Sequence, residues 1–245
     1  MSRGRYYIGT SGWSYAGWKT GFFAGIRSKD WLYYCAERFT ALEINGTFYR
    51  QIKGETFARW RDSVPADFRF AIKGHRFLTH FKKLAPARES VERQRDHSAA
   101  LGEKLAAVLW QLPSTLQKDL QQLEKFAHHL RVWPRVTHAF EFRHPTWFDS
   151  DVAAIMKRFS LSVCHSDAAI WPIWEAITSN VVYVRLHGNV VTYQSGYTDR
   201  ELADWAAKTI QWNNEGLDVH VYFDNDAHGH APYDAIKLID LVKQG

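Results

Sequence analysis

The stretch Val181-Val182-Tyr183-Val184-Arg185-Leu186-His187 decides the fold of this chain, because apolar and polar side chains alternate along it. Side chains alternate between the two faces of a β-strand. The apolar Val184 and Leu186 therefore share one face, whereas Arg185 and His187 share the other. The segment predicts a strand whose last residues direct polar groups into the interior of the protein.

Five further apolar segments repeat this arrangement. Their polar residues in the same phase are Glu43 and Asn45, Lys73, Gln111, Glu141 and Arg143, and Tyr222 and Asp224. Placing so many charged groups inside a protein is unfavourable unless they form ion pairs or serve a site. The repetition predicts a polar pocket lined by strand ends.

Eight strand-like segments recur along the chain, with helical patterns between most of them. They are centred on residues 6–10, 42–45, 68–73, 107–111, 139–143, 161–165, 181–187 and 219–224. Strands that alternate with helices imply parallel pairing and right-handed crossovers, and eight such units predict an α/β fold of the TIM (β/α)8 barrel type. A doubly wound open sheet is the alternative. The barrel is favoured because inward polar positions recur near both ends of the chain.

Several helix starts are marked by local signals. Asp149 and Ser150 precede a helical apolar pattern, residues 198–201 have the form of a capping box, and Pro232 suits the first turn of the last helix. The sixth unit is less regular, since residues 170–174 combine aromatic residues with a proline. We expect its helix to be short.

Composition predicts a single-domain, mildly basic protein. No linker or low-complexity segment divides it, so residues 1–245 are predicted to form a single domain. The formal charge of +5 and a pI near 9.1 give a mild bias towards anionic partners. The chain has no signal-peptide pattern, no apolar run of membrane-spanning length, and only Cys35 and Cys164. We expect a cytoplasmic protein without a membrane partner.

Short motifs in a fixed order resemble a known family. They are Gly9-Thr10-Ser11-Gly12-Trp13-Ser14-Tyr15, Glu43-Ile44-Asn45-Gly46-Thr47-Phe48-Tyr49, Gln111-Leu112-Pro113, Glu141-Phe142-Arg143-His144, Arg185-Leu186-His187-Gly188 and Tyr222-Phe223-Asp224-Asn225-Asp226. Together they cover nearly the whole chain and resemble the YecE-like proteins, domain-of-unknown-function family 72. The resemblance implies a TIM barrel and no established activity. Members are loosely described as related to sugar isomerases, and a nuclease-like role has also been suggested.

Three positions depart from the family pattern. A proline that commonly follows the Phe-Tyr-Arg run is missing, and Ile52 and Lys53 stand in that region. Phe22-Phe23-Ala24 stands where the family usually has Phe-Tyr-Pro. Asp224 stands where Asn is typical, so the resemblance implies no carboxylate role at this position.

Four of the inward polar residues are candidates for catalysis. Glu43 and Glu141 are candidate general acids and bases, since carboxylates at a barrel mouth can be held at a useful pKa. His187 is a candidate proton shuttle. Lys73 is a candidate anion contact, electrophilic stabiliser or Schiff-base amine. The alternative is a structural ion-pair layer in which the carboxylates only balance Lys73 and the arginines.

Substrate contacts are predicted around the same mouth. Arg143 and Arg185 suggest an anion clamp, because a guanidinium binds phosphate or carboxylate through two parallel hydrogen bonds. The other predicted substrate contacts are Trp13, Asn45, Tyr49, Gln111, Tyr222, Asp224 and Asn225. Aromatic rings at such a mouth can stack on a sugar face or a base.

No cofactor follows from the sequence. A divalent metal held by Glu43, Glu141, His187 and Asp224 is an alternative, since oxygen and imidazole ligands suit Mg, Mn or Zn. No short ligand motif supports it. Residues 226–230 are rich in Asp and His, but a solvated loop before the last helix explains them more simply.

Three functions remain open. The leading hypothesis is an isomerase-like or hydrolase-like enzyme that uses general acid–base chemistry on a small anionic or sugar-like molecule. The second is a phosphodiesterase or nucleic-acid-processing nuclease, motivated by the basic charge balance and the aromatic residues of the mouth. The third is a non-catalytic ligand-binding barrel.

Overall fold

Eight parallel strands form one sheet in the computed structural model, which describes residues 3–85 and 87–245. The strands are β1 (Tyr6–Thr10), β2 (Ala41–Ile44), β3 (Arg69–Lys73), β4 (Leu105–Gln111), β5 (Thr137–Glu141), β6 (Ser162–Asp167), β7 (Val181–Leu186) and β8 (Asp218–Phe223). Met1 and Ser2, at the start of the segment that shows no signal-peptide pattern, lie outside the described residues, as does Pro86.

Helices cover the outside of this sheet. They are α1 (Trp31–Ala36), α2 (Gly46–Tyr49), α3 (Gly54–Asp62), α4 (Arg88–Ser98), α5 (Leu120–Leu130), α6 (Ser150–Arg158), α7 (Asp199–Asn214) and α8 (Ala231–Gln244). Short 3-10 or π turns occupy Ala16–Trp18, Ser28–Asp30, Phe77–Phe81, Ala99–Lys104 and Pro145–Trp147. Within the described part of the chain, no helix is long and apolar enough to cross a membrane.

The strand order is β1-β8-β7-β6-β5-β4-β3-β2, and every neighbouring pair is parallel. The two ends of this order meet through a parallel bridge between Ser11 and Glu43, where the Gly12 amide donates to the Glu43 carbonyl at 2.7 Å. The Thr40 amide also donates to the Ile8 carbonyl at 3.0 Å. The prediction of a TIM barrel rather than an open sheet is therefore confirmed.

The interior of the barrel combines small and large side chains. Strands β2 to β5 contribute the buried alanines Ala41, Ala71, Ala107 and Ala139, whereas β1, β7 and β8 contribute the buried rings of Tyr7, Tyr183 and Tyr222. The opposite strand faces pack against the helices in a separate, larger apolar core. These side chains fill the interior of the barrel. A cluster of charged groups therefore has room only at the C-terminal ends of the strands.

The predicted helix signals are present. Asp149 accepts a hydrogen bond at the start of α6, Thr198 and Glu201 form a capping box at α7, and Pro232 lies in the first turn of α8. The irregular sixth unit is also present: residues 168–180, all described, contain no helical turn, and Trp174 stacks on Phe148 with ring centroids 5.4 Å apart. The expectation of a short helix in this unit is therefore wrong: residues 168–180 form an irregular segment, which the stacked Trp174–Phe148 pair ties to the segment after β5.

Closure of the barrel depends on the absence of a side chain at Gly9. A Cβ atom at this position would lie 1.9 Å from the Ala41 carbonyl oxygen, which is backbone and has little freedom to move. We predict that Gly9→Ala lowers the free energy of unfolding by about 3 kcal/mol, because β1 and β2 must separate. Chemical denaturation measures this loss. Gly17→Ala is the matched control, since nothing lies within 4 Å of its Cβ position; an equal loss in both variants would contradict the account.

Candidate active site

The Arg185 guanidinium lies at the centre of three carboxylates at the C-terminal ends of the strands. Its Nη2 donates to Glu43 Oε1 at 2.8 Å and to Asp224 Oδ2 at 3.0 Å, and its Nη1 donates to Glu141 Oε2 at 2.7 Å. Arg185, Glu43 and Glu141 have no exposed surface. We call these four residues the charge cluster. It joins β7 to β2, β5 and the end of β8 across the top of the barrel.

Neighbouring polar groups take up other hydrogen-bonding positions around the cluster. Tyr183 Oη donates to Glu43 Oε2 at 2.6 Å, and Arg185 Nη2 also donates to Ser11 Oγ at 2.8 Å. His187 is fully buried, with Nδ1 at 2.9 Å from Asp224 Oδ2 and Nε2 at 3.6 Å from Glu141 Oε1. The cluster is thus an extensively paired and largely buried ion network.

Electrostatics keep Glu141, Asp224 and Arg185 ionised in spite of their burial. Burial by itself would raise the pKa of Glu141, but Arg143 and Arg185 outweigh it and hold this pKa well below its usual range. Burial likewise opposes the charge on Arg185, yet Asp224, Glu43 and Glu141 raise its pKa. The pKa of Asp224 is lowered by Arg185 and His187 against the effect of burial. A carboxylate fixed in this way is a poor proton donor near neutral pH.

Lys73 differs from the arginines because it has no salt-bridge partner. It ends β3, is partly exposed, and places Nζ 4.4 Å from the centre of the Phe48 ring. Over residues 3–85 and 87–245, no carboxylate oxygen lies within 4.0 Å of this ammonium. Burial lowers the pKa of Lys73 to about 8, and the charge of Arg185 adds to the decrease. This amine can therefore exist in both protonation states near neutral pH.

Arg143 follows β5 and connects the cluster to the surface. Its Nη2 lies 2.7 Å from Glu141 Oε1, and its guanidinium lies 4.1 Å from the centre of the Trp171 ring. Its side chain is 14% exposed, whereas that of Arg185 is completely enclosed. Of the two predicted clamp residues, only Arg143 can reach a ligand without opening the cluster.

Two further residues of the mouth were missed by sequence reasoning. Tyr193 has a φ of 68°, which is uncommon for an aromatic residue, and its ring centroid is 5.4 Å from that of His187. Asp226 follows β8 and is partly exposed. Burial raises the pKa of Asp226 to about 6, and the nearby charge of Asp224 adds to this effect, whereas Tyr15 opposes it. Loop packing, which no sequence pattern encodes, produces both features.

The remaining predicted substrate contacts are dispersed. Tyr222 is buried below the cluster and shares a hydrogen bond with His220, so it is interior packing. Asn225 is buried and its Nδ2 donates to Ser195 O and to Asp234 Oδ2. Trp13 packs edge-on against Trp60 of α3 at 5.0 Å. Each of these three residues, like Arg185, makes a contact within the protein, and their role as substrate contacts stays a prediction.

Three other predicted contacts lie nearer the surface or the cluster. Asn45 Nδ2 donates to Ser11 Oγ at 2.9 Å, beside Glu43. Gln111 is buried and its Nε2 donates to the Leu112 carbonyl at 3.0 Å. Tyr49 is 61% exposed and stands at the rim.

A metal does not fit the proposed ligand set in this conformation. No group of three or more His, Cys, Asp or Glu side chains among the described residues is arranged to hold a metal ion. The carboxylates of Glu43, Glu141 and Asp224 instead face the Arg185 guanidinium, which binds all three. A metal ion between these three carboxylates would have to compete with the guanidinium of Arg185, which cannot lose its charge.

Comparison with known proteins places the chain in a group without an assigned activity. The sequence model of the family described as "Protein of unknown function DUF72" matches residues 7–245. The UPF0759 protein YunF of Bacillus subtilis (strain 168) is 23% identical over 96% of this chain and 94% of its own length. A crystal structure of a DUF72 family protein from Thermotoga maritima has a TM-score of 0.87 at 22% identity, covering 98% of this chain and 99% of that chain. A DUF72 family protein from Enterococcus faecalis V583 has a TM-score of 0.83 at 21% identity, covering 97% and 95%. The latter two similarities concern the fold.

Removal of the central cation tests the charge cluster. We predict that Arg185→Met lowers the free energy of unfolding at pH 7 by about 4 kcal/mol, because three buried carboxylates lose their shared partner. The folded-state pKa values of Glu141 and Asp224 are lowered, so the wild-type stabilisation is present above the ordinary carboxyl range and is lost as pH falls through and below about 4. In the variant, burial without a cation raises the pKa values of the carboxylates, so they take up protons as the pH falls and their repulsion is relieved. The effect of the substitution should therefore shrink between pH 7 and pH 4.

Chemical denaturation at both pH values measures the two differences. Arg5→Met is the control, since Arg5 pairs with Asp218 on the surface at 3.1 Å and should change stability by less than about 1 kcal/mol. A loss for Arg185→Met that does not depend on pH would argue against buried, ionised carboxylates.

Proposed function

The chain belongs to the DUF72 family, and we propose that it is an enzyme that performs general acid–base chemistry on a small anionic or sugar-like molecule at the C-terminal strand ends. The observation that carries this proposal is the pair Lys73 and Asp226. Both are partly exposed, and their pKa values of about 8 and about 6 lie on either side of neutrality. Groups with such pKa values can accept and donate protons at working pH.

Lys73 and Asp226 border the same buried network. The charges of Arg185 and Asp224 influence the pKa of both groups, which supports a position for both near the charge cluster. Between pH 6 and pH 8, Asp226 is mainly a carboxylate that can accept a proton, and Lys73 is mainly an ammonium that can donate one. Two such groups in one mouth suit the removal and return of a proton in an isomerisation, or the activation of water in a hydrolysis.

The predicted roles of the buried carboxylates change accordingly. Glu43 and Glu141 are enclosed and bound to arginine, so we assign them to positioning rather than to proton transfer. His187 is held between Glu141 and Asp224 and shares this role. Arg143 is the anion contact, because its guanidinium is partly exposed beside the cluster and stacks on Trp171.

A second candidate function has one observation in its favour. Phe81 is 65% exposed and Tyr49 is 61% exposed, and the Arg76 guanidinium lies 5.4 Å and 5.7 Å from their respective ring centres. Exposed rings beside cations can stack on bases and bind phosphates of a single-stranded nucleic acid. This arrangement supports a nucleic-acid-processing role at the same mouth. Binding of a short oligonucleotide that weakens steeply with salt is the property that distinguishes it.

The enzymatic proposal predicts a bell-shaped pH profile. The purified protein is incubated in D2O with a panel of sugar phosphates, keto acids and sugar acids, and proton NMR detects conversion or exchange of carbon-bound hydrogen. The rate should decrease below about pH 6, where Asp226 is protonated, and above about pH 8, where Lys73 is neutral.

Conservative substitutions test whether Lys73 and Asp226 are the two groups that transfer protons. Lys73→Arg keeps the charge but cannot lose its proton near neutral pH, and Asp226→Asn keeps the shape without the charge. Each should reduce the rate by about 100-fold or more. Lys243→Arg and Asp240→Asn, on the exposed part of α8, are matched controls. Full activity in both Lys73→Arg and Asp226→Asn would show that neither side chain takes part in proton transfer. Saturable anion binding without any conversion would instead indicate a non-catalytic barrel.

A further inference from the structure

A cavity lies beside the ends of β2 and β3, outside the charge cluster. It has a volume of about 200 Å³, is open to solvent on one side, and is lined by the segment after β2, α3, the segment after β3, and α4. Thr47, one of its lining residues, donates through Oγ1 to the carbonyl of Lys73 at 2.6 Å, so the cavity adjoins the outer side of the β3 strand end. Its residues play no part in the chemistry proposed for the mouth.

The charge of this cavity has one sign. Its charged lining residues are Arg50 and Arg93, both exposed; His75 and His97 also line it, burial lowers the pKa of His75, and no Asp or Glu is among the lining residues. Among residues 3–85 and 87–245, neither Arg50 nor Arg93 takes part in an ion pair, whereas two other arginines of α4 do: Arg88 pairs with Glu92 at 3.0 Å and Arg95 with Asp96 at 2.8 Å. Two unneutralised guanidiniums facing one cavity attract an anion that offers several acceptor oxygens.

One face of α4 supplies four polar residues of the cavity lining. Ser90, Arg93, Gln94 and His97 follow the i, i+3, i+4, i+7 spacing of one helix face, and all four line the cavity. Arg93 and His97 are exposed on this face, whereas α4 buries Val91 and Ser98, so the polar face borders the open side of the cavity. Gln94 Oε1 also accepts a hydrogen bond from the His75 amide at 3.1 Å, which fixes α4 to the end of β3.

The floor of the cavity is apolar. Ile52, Phe57 and Leu78 line it and are almost fully buried, and Phe77, which is 37% exposed, stands at its edge. A cationic wall over an apolar floor suits a molecule with an anionic group and a small apolar or ring portion. The volume of about 200 Å³ lies below the roughly 300–1,000 Å³ of most ligand pockets, which excludes a large ligand.

We propose that this cavity is a binding site for a small phosphorylated compound whose remaining portion is apolar or aromatic, separate from the barrel mouth. Arg50 and Arg93 bind the phosphate, and the floor formed by Ile52, Phe57 and Leu78 receives the ring. The proposal does not depend on the chemistry assigned to Lys73 and Asp226.

Calorimetric titration with phenyl phosphate tests this site. We expect saturable binding that weakens about tenfold in Arg50→Gln and in Arg93→Gln, since each variant loses a charge-assisted hydrogen bond. Arg200→Gln, at an exposed position of α7 without an ion-pair partner among the described residues, is the matched control and should bind as the wild type does. Inorganic phosphate should bind more weakly than phenyl phosphate, and benzyl alcohol should not bind.

Other outcomes overturn the proposal. Equal affinity in all variants, or equal binding of benzyl alcohol, shows that the arginines do not recognise the ligand. Loss of binding in Arg143→Met, with no effect in the Arg50 and Arg93 variants, places the phosphate in the barrel mouth. An oligonucleotide that binds with much higher affinity and displaces phenyl phosphate assigns the surface to nucleic acid. Thermal melting of each variant confirms that the protein is folded during these titrations.

Discussion

The ion pairs between Arg185 and the carboxylates of Glu43, Glu141 and Asp224 are the interaction on which the upper part of this barrel depends. One guanidinium joins three strand ends that lie 39 to 142 residues from Arg185 in the sequence. Removing three carboxylates from water is costly, and only a partner that cannot lose its charge makes the arrangement stable. Because the cluster is enclosed and paired, it organises the mouth without being directly available to a ligand.

The chemistry of the mouth follows from what surrounds this cluster. Asp226 and Lys73 lie at its edge, where burial and the charges of Asp224 and Arg185 bring their pKa values towards neutrality from opposite sides. Arg143 extends from Glu141 towards the surface and is the cation that a bound anion would meet. The charge cluster forms a fixed layer below the titratable Lys73 and Asp226. Such a layer preorganises a site, because its charges do not need to reorient when a ligand binds.

The sequence predicts the barrel well because its evidence is local. Alternation along β7 and β5 determines which side chains point inward, and the caps at Asp149 and Thr198 mark two helices that the structure contains. The same alternation correctly brings Glu43, Glu141 and Arg185 together. It cannot distinguish an open pocket from a paired layer, since that difference depends on side-chain distances across strands. The alternative of a structural ion-pair layer, which the balance of charges suggested, describes this part of the mouth.

The missed residues have a common physical reason. Asp226 and Tyr193 lie in loops after β8 and β7, and their properties depend on how those loops pack against the mouth. Trp13 shows the converse case: its position after β1 predicts a mouth residue, but its ring packs against Trp60 on the outside of the barrel. Periodicity determines the direction of a side chain only within a strand or helix, and it gives no direction for a loop.

The most direct test of this account is an NMR titration of the Lys73 ammonium in the wild-type protein, with Lys73→Arg used to assign its signal. If burial beside the Arg185 cluster controls the mouth, the midpoint lies near pH 8. A midpoint near 10.5, the ordinary value for lysine, would contradict the account, because the amine would then be fully hydrated and unaffected by the charges below it.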